Sequence, residues 1–483
     1  MQKTETNRWL VLVIVCLAQF MVILDATIVN IALPSIQHGL SFSDADLQWV
    51  INAYTLVFGG FLLLGGRAAD LLGRKRLFVA GVALFSLASL LNGLAQSSSM
   101  LIAGRALQGL GGALVSPAAL SILMTSFPGN EERTKALGVW SAIVAGGAAA
   151  GLLLGGVLTD LLSWEWIFFV NVPVGVGAGA VAVAAALRFV PESRDETAHR
   201  SFDVAGATTV TSGLVVLVYG IVKAQEYGWA STRTLGTLAL SALLLTAFVA
   251  IERRSAAPLV RLSMFRKRAL TAANVAMMLV ASGMFSMFFF ASLYVQEVLG
   301  YSPLKAGLAF MPVTAGMIVG AGVAQTAIRR FGPRGVGVVG VSLAALGMLW
   351  LTGLPVHGHY VSDLLVGLLP MSVGMGLTFV PVTLLATAGV APEDSGLASG
   401  LLNTSQQVGG ALGLAILSTL AANHATSALA DGASRPAALL AGWQVGFTGG
   451  AIVLVLAALT LVFALRRRDL DHINVDVAVP VAA

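Results

Sequence analysis

The chain predicts an all-α membrane protein with fourteen spanning helices, on three observations. Of its 483 residues, 57% are hydrophobic and only 11% charged; a soluble domain carries about 25% charged residues. Fourteen stretches are apolar enough to cross a hydrocarbon core roughly 30 Å thick, which takes about 20 helical residues. The lysines and arginines collect in every second connection, the distribution that orients a membrane protein. Mean hydropathy of +0.87 agrees. Lipid is the solvent this sequence requires.

The first six spans are expected at 9–32, 47–68, 77–96, 101–126, 135–159 and 165–187. The first, led by Lys3 and Arg8, looks like a signal peptide. It has no small-x-small cleavage site and runs on into Asp25 and Asn30, so it reads as a retained span. The fifth carries Gly146, Gly147, Gly151, Gly155 and Gly156, and the sixth opens on Trp164 and Trp166, rings suited to the outer interface. A pair at 203–222 and 234–251 follows, flanked by the long connections 188–202 and 252–269. The last six are 270–295, 306–326, 334–353, 361–385, 399–420 and 442–465.

With both termini in the cytoplasm, 22 of the 28 basic residues fall on the inner side. Only Lys223, Arg233, Lys305 and Arg435 lie outside, and Arg67 and Arg105 sit within spans. The chain thus divides into a six-helix bundle (1–190), a linker with two extra spans (191–269), a second six-helix bundle (270–468) and a cytoplasmic tail (469–483). Gly66 to Lys75 after span 2 is echoed by Ile328 to Arg334 after span 10, the repeat pattern of many secondary transporters.

Several classes of function are excluded. The pI near 9.6 does not point to nucleic acid, because the basic residues sit in short loops between apolar runs. One cysteine, Cys16, allows neither an internal disulfide framework nor a cysteine-based metal cluster. There is no phosphate-binding G-x-x-x-x-G-K-[ST] loop, nor a soluble stretch long enough for a nucleotide domain. His357, His359 and Asp363 read as a solvated outer loop, so no metal or other cofactor is expected. Arginine far outnumbers lysine, and Ala, Gly and Val abound, which points to a GC-rich bacterial genome.

Asp25 stands out against this background. It lies about two-thirds of the way along the first span, where a charged side chain costs about 2.5–3.5 kcal/mol to insert on translocon scales. Burial disfavours a charged carboxylate and a nearby cation favours it, so an acid under both influences responds to its surroundings. Arg105, near the outer end of span 4, lies at comparable depth. It can pair with Asp25 or snorkel to the outer headgroups.

Four motifs carry a resemblance. Leu24 to Pro34 matches L-D-x-T-I-V-N-x-A-L-P, and Gly66, Asp70, Gly73, Arg74 and Lys75 fit G-x-x-x-D-x-x-G-R-K. In the second of these Gly66 lets two helices approach and Gly73 permits a tight turn. Arg105 to Gly111 fits R-x-x-Q-G-x-G, and Trp164 to Gly175 fits W-x-W-I-F-x-x-N-x-P-x-G. Together they resemble the major facilitator superfamily, and within it the fourteen-span drug:proton antiporter branch (EmrB/QacA type), from about Leu10 to Arg468. The resemblance implies the major facilitator fold, two six-helix bundles plus an inserted helix pair. It implies that Asp25 takes part in proton exchange and that Gly66, Asp70, Gly73, Arg74 and Lys75 form a cytoplasmic latch. Gly147, Gly151, Gly155 and Gly156 are similar to the antiporter motif of span 5, although Leu152 replaces its proline. The tryptophan motif is taken as a lineage marker and anchor.

The superfamily's cavity-facing helices carry over to spans 1, 2, 4, 5, 9, 10, 12 and 13. Their polar groups include Gln19, Asn30, Asn52, Tyr54, Gln108, Tyr294, Gln296, Asn403, Gln406 and Gln407. Met284 and Phe288 belong to a Met- and Phe-rich run of span 9 that either lines an adaptable apolar wall or packs against lipid. Glu297 is either a second proton or cation site or an ordinary interfacial acid. The implied function is a monomeric efflux antiporter of a bacterial inner membrane. It would exchange protons for organic, amphipathic or cationic compounds, such as antibiotics and dyes, by alternating access. A same-fold exporter of an endogenous metabolite, a lipid or a self-made antibiotic is the alternative. A membrane-embedded enzyme or a transport-dead sensor is the remote alternative, and an enzyme would need a reactive constellation beyond one deep acid.

Overall fold

In hydrocarbon a backbone finds no water, so its N–H and C=O groups must pair within the spanning segment, and helices satisfy that condition. The computed structural model describes residues 8–174 and 203–465, apart from 128, 256–257, 389 and 391–393. No strand occurs among the described residues. In chain order the helices are α1 (Arg8–Leu40), α2 (Trp49–Leu72), α3 (Arg74–Gly93), α4 (Ser98–Ser126), α5 (Asn130–Leu161) and the short α6 (Trp166–Phe169). Then follow α7 (Val204–Tyr227), α8 (Thr232–Arg254), α9 (Arg268–Leu293), α10 (Pro303–Ala309) and α11 (Met311–Leu351). The last are α12 (Val366–Thr387), α13 (Ser395–Ala430) and α14 (Arg435–Phe463).

Twelve helical stretches among the described residues are long and apolar enough to cross a membrane. One of them, Pro303–Leu351, contains the expected segment 306–326 and all but the last two residues of 334–353. They part at Gly332, whose φ of 70° and ψ of 161° only a residue without Cβ adopts readily. The sixth expected span is described only to residue 174, and the 190/191 boundary and the tail 469–483 lie outside the described residues. Several helices overrun the segments their hydropathy marks, α1 and α13 furthest. α1 continues to Leu40 and α13 to Ala430. Apolar composition reports the part bathed in lipid, whereas the backbone hydrogen-bond ladder continues through polar residues such as Asn423 and His424 until something stops it.

The chain falls into two compact units. One comprises Met1–Phe42, Trp49–Thr211 and Arg254–Leu259, and the other Ser43–Gln48, Ser212–Arg253 and Val260–Ala483. In the first, α2 and α3 pack on α4 while α5 packs on α1. Its core runs through Val11, Val15, Phe78, Phe85, Val115 and Phe127. In the second, α9 packs on α13 and α14, and α11 packs on α12. Ala324, Ile328, Val336 and Leu377 form one of its cores. Within that unit Ser241 of α8 donates to the Gly213 carbonyl of α7 at 2.8 Å, while the rest of α8 is largely exposed.

Small residues set the closest helix contacts, as expected where lipid tails compete equally for apolar surface. A Cβ at Gly151 of α5 would overlap Thr27 Oγ1 of α1, and one at Gly155 would come within 2.7 Å of the Ile28 carbonyl. Gly147 sits on the same stripe, its Cβ position 3.3 Å from Phe20 and Ile23. α5 is unbroken through Leu152, which is buried, so the close seam survives without the family's proline. The second unit repeats the device. Gly409 and Gly413 of α13 abut the Met278 backbone and Ser282 of α9, and Ser282 Oγ donates to the Gly409 carbonyl at 2.7 Å.

Gly151→Leu is expected to destabilise the fold by about 1–3 kcal/mol through overpacking. Gly146→Leu, where a Cβ meets nothing within 4 Å, should leave it unchanged. Thermal unfolding in detergent compares the two, and equal losses would contradict the α1–α5 seam.

Candidate proton-coupling site

Helical spacing gathers polar side chains from five segments around Asp25. Arg105 and Gln108 are three residues apart on α4 and so share a face, as do Ser89 and Asn92 on α3. α1 contributes Asp25, α2 contributes Tyr54 and the Val50 carbonyl, and the helical turn after α6 contributes Asn171. Asp25 is fully buried and Arg105 is 1% exposed.

Arg105 Nη1 donates to Asp25 Oδ2 at 2.5 Å and to Gln108 Oε1 at 2.7 Å. Its Nε donates to the Val50 carbonyl at 3.0 Å. The guanidinium carbon lies 4.4 Å from the Tyr54 ring centre and 5.8 Å from that of Phe168, within cation–π range. Asp25 Oδ1 accepts from Gln108 Nε2 at 2.6 Å and from Asn171 Nδ2 at 2.8 Å. Gln108 Nε2 also donates to Ser89 Oγ at 2.7 Å, and Asn92 Nδ2 donates to Gln108 Oε1 at 2.8 Å. A buried ion pair is tolerated when added hydrogen bonds satisfy the remaining lone pairs and protons, and this one is so surrounded.

Of the two sequence readings of Arg105, its near-complete burial favours the pair over snorkelling. Asn171, read from sequence only as part of a marker motif, bonds Asp25 directly. Asn92 and Ser89 were missed altogether. The available signal was the one that singled out Asp25: asparagines inside apolar spans, where an unpaired amide is costly.

The other expected residues are placed variously. Gln108, expected at the substrate, is spent on the Asp25 network. Gln19 and Asn52 are buried. Asn30 donates to the Ala26 and Thr27 carbonyls of its own helix. In the second unit Met284 is buried, Phe288 packs against Phe310, and the buried Tyr294 donates its hydroxyl hydrogen to the Pro355 carbonyl at 2.9 Å. Gln296 reaches Ser292 Oγ at 3.2 Å in a π-helical turn, where Glu297 is exposed. Asn403 is exposed; Gln406 and Gln407 are half-buried.

At the C-terminal end of α2 the Asp70 side chain lies outside the described residues. Gly73 has φ 107° at the sharp entry to α3, which begins at Arg74 and Lys75. Gly66 does not make the close approach expected of it: a Cβ there would stand 3.6 Å from Pro117, an ordinary contact. The neighbouring Gly65 makes it, against the Ala113 carbonyl of α4. No group of metal-ligating side chains occurs among the described residues.

Arg105→Leu should destabilise the protein by about 3–5 kcal/mol, because it leaves Asp25 buried without its partner. Adding Asp25→Leu should recover part of the loss. Thermal unfolding of both variants decides, and a double variant worse than the single would contradict the pairing.

A family model described as Major Facilitator Superfamily matches residues 15–414. The chain is 40% identical to the puromycin resistance protein pur8 of Streptomyces alboniger, over 92% of this chain and 88% of that one. It is also 40% identical to the cephamycin export protein CmcT of Amycolatopsis lactamdurans, over 95% and 93%. Identity to the multidrug resistance protein Stp of Mycobacterium tuberculosis is 34%, over 86% and 76%. Among solved structures, a bacterial homolog of the human lysosomal transporter Spinster shares the fold, with TM-score 0.67, 18% identity and full coverage of both chains. A multi-pass helical architecture, the buried acid–arginine pair of its first unit and these relatives lead to one assignment: the chain belongs to the Major Facilitator Superfamily.

Proposed function

We propose that the protein is a proton-coupled efflux antiporter of the fourteen-span drug:proton branch. It exports organic, amphipathic or cationic compounds by alternating access. The observation that carries this reading is the pair of Asp25 and Arg105, both charged groups being buried in one neutral polar network. Protonating Asp25 removes half of that pair and leaves a cation enclosed without its counter-ion. The helices must respond, because an uncompensated buried charge is far costlier than the pair. One proton crossing 100 mV releases roughly 2.3 kcal/mol, enough to drive a modest concentration ratio.

The relatives support export as the direction, since their names speak of resistance and of export. In this reading the protein works as a monomer in a bacterial inner membrane, with both termini cytoplasmic. It catalyses no covalent change. Gly66, Asp70, Gly73, Arg74 and Lys75 serve as the inner latch, and the exposed Glu297 is a secondary site for protons or cations. A second reading, a pump dedicated to one compound, draws support from relatives named for a single antibiotic such as cephamycin.

Asp25→Asn is expected to abolish substrate-driven proton movement in proteoliposomes, and a coupled rate like that of the unsubstituted protein would defeat the assigned role. Expression in a pump-deleted host should raise resistance to several unrelated drugs, and an uncoupler should remove that gain. Resistance confined to one compound would favour the dedicated exporter, and resistance indifferent to the uncoupler would count against proton coupling.

A further inference from the structure

Two side-chain amides donate to the same oxygen of Asp25, but they are held very differently. Gln108 uses its full hydrogen-bonding capacity. Its Nε2 donates to Asp25 and Ser89, and its Oε1 accepts from Arg105 and Asn92. Turning that amide over would set donors against donors. Asn171 is also fully buried, yet its Oδ1 has no hydrogen-bond partner among the described residues. A single bond of 2.8 Å, to a carboxylate oxygen, decides which way it faces.

We propose that Asn171 is a reversible amide that serves both protonation states of Asp25. A carboxylate oxygen only accepts hydrogen bonds, whereas a carboxylic acid also donates one. With Asp25 charged, Asn171 Nδ2 donates to Oδ1. When a proton binds Oδ1, Asn171 turns about its Cβ–Cγ bond and its own Oδ1 accepts the new O–H. Both forms of the acid then keep a partner inside a site closed to solvent. Arg105 of α4 is the charged group facing Asp25, and Tyr54 of α2, lying across Arg105, is the titratable one. Among the described contacts, α3 and the turn after α6 bring only neutral side chains, and α5 brings Gly151 against Thr27 and the Leu24 carbonyl. Asn171 is therefore a positioning residue that acts through Asp25, and the inference rests on Asp25 as the proton carrier.

Infrared difference spectra between alkaline and acid pH, on the full chain in proteoliposomes, test it. The protein is prepared with ordinary and with carbon-13-labelled asparagine. The expected result is a carboxylic acid C=O band that is lost in Asp25→Asn, accompanied by an amide C=O band that moves with the label. Asn171→Leu should abolish the labelled amide band and shift the carboxylic band. An Asp25-dependent carboxylic band with no labelled amide band beside it would overturn the reversible amide while leaving the proton carrier in place. The labelled unsubstituted protein gives this answer even if Asn171→Leu does not fold. Absence of any Asp25-dependent carboxylic band would remove both readings together.

Discussion

A carboxylate and a guanidinium enclosed together between α1 and α4 impose more on the first unit than any other interaction in it. Neither can lose its partner cheaply, and neither can be left with idle lone pairs or protons. The demand spreads outward. Gln108 must lie one turn from Arg105, Asn92 and Ser89 must face it from α3, Asn171 must return from beyond α6, and the Val50 carbonyl must turn to meet Nε. Helix register across most of the unit is thereby tied to a single charge. In the proposed mechanism, that linkage is what a proton on Asp25 would act through.

Close packing and polar bonding divide the work between different faces. α5 meets α1 through glycines at a spacing of four, and α13 meets α9 in the same manner with Ser282 bonded across the seam. Such contacts bring backbone against backbone and leave little room for an added Cβ, as at Gly151 and Gly409. On α1 the polar network and the glycine seam thus occupy different flanks, one holding the helix by oriented hydrogen bonds and the other by close packing.

Much of this architecture was readable in the residues. Segment positions followed from hydropathy, and Asp25 and Arg105 announced themselves by cost alone. Gly73 was correctly tied to a sharp turn, but the close approach assigned to Gly66 belongs to Gly65. A one-residue error of that kind is natural, because a motif fixes spacing and says nothing of which neighbouring face meets the next helix. Asn171 and Asn92 were passed over for a different reason. Neutral amides do not disturb composition or charge counts, and their importance lies in what they bond, which only the three-dimensional arrangement supplies. Helix ends were also underestimated at Leu40 and Ala430, since backbone pairing outlasts apolar composition.

The lone thiol has a practical consequence. Cys16 is the single cysteine of the chain and is only 4% exposed in the core of the first unit. Reagents delivered from water meet no competing native target, so a cysteine introduced at a chosen helix end becomes the reporter. Spin-label or fluorophore pairs placed this way can follow the transport cycle in an otherwise unaltered polypeptide.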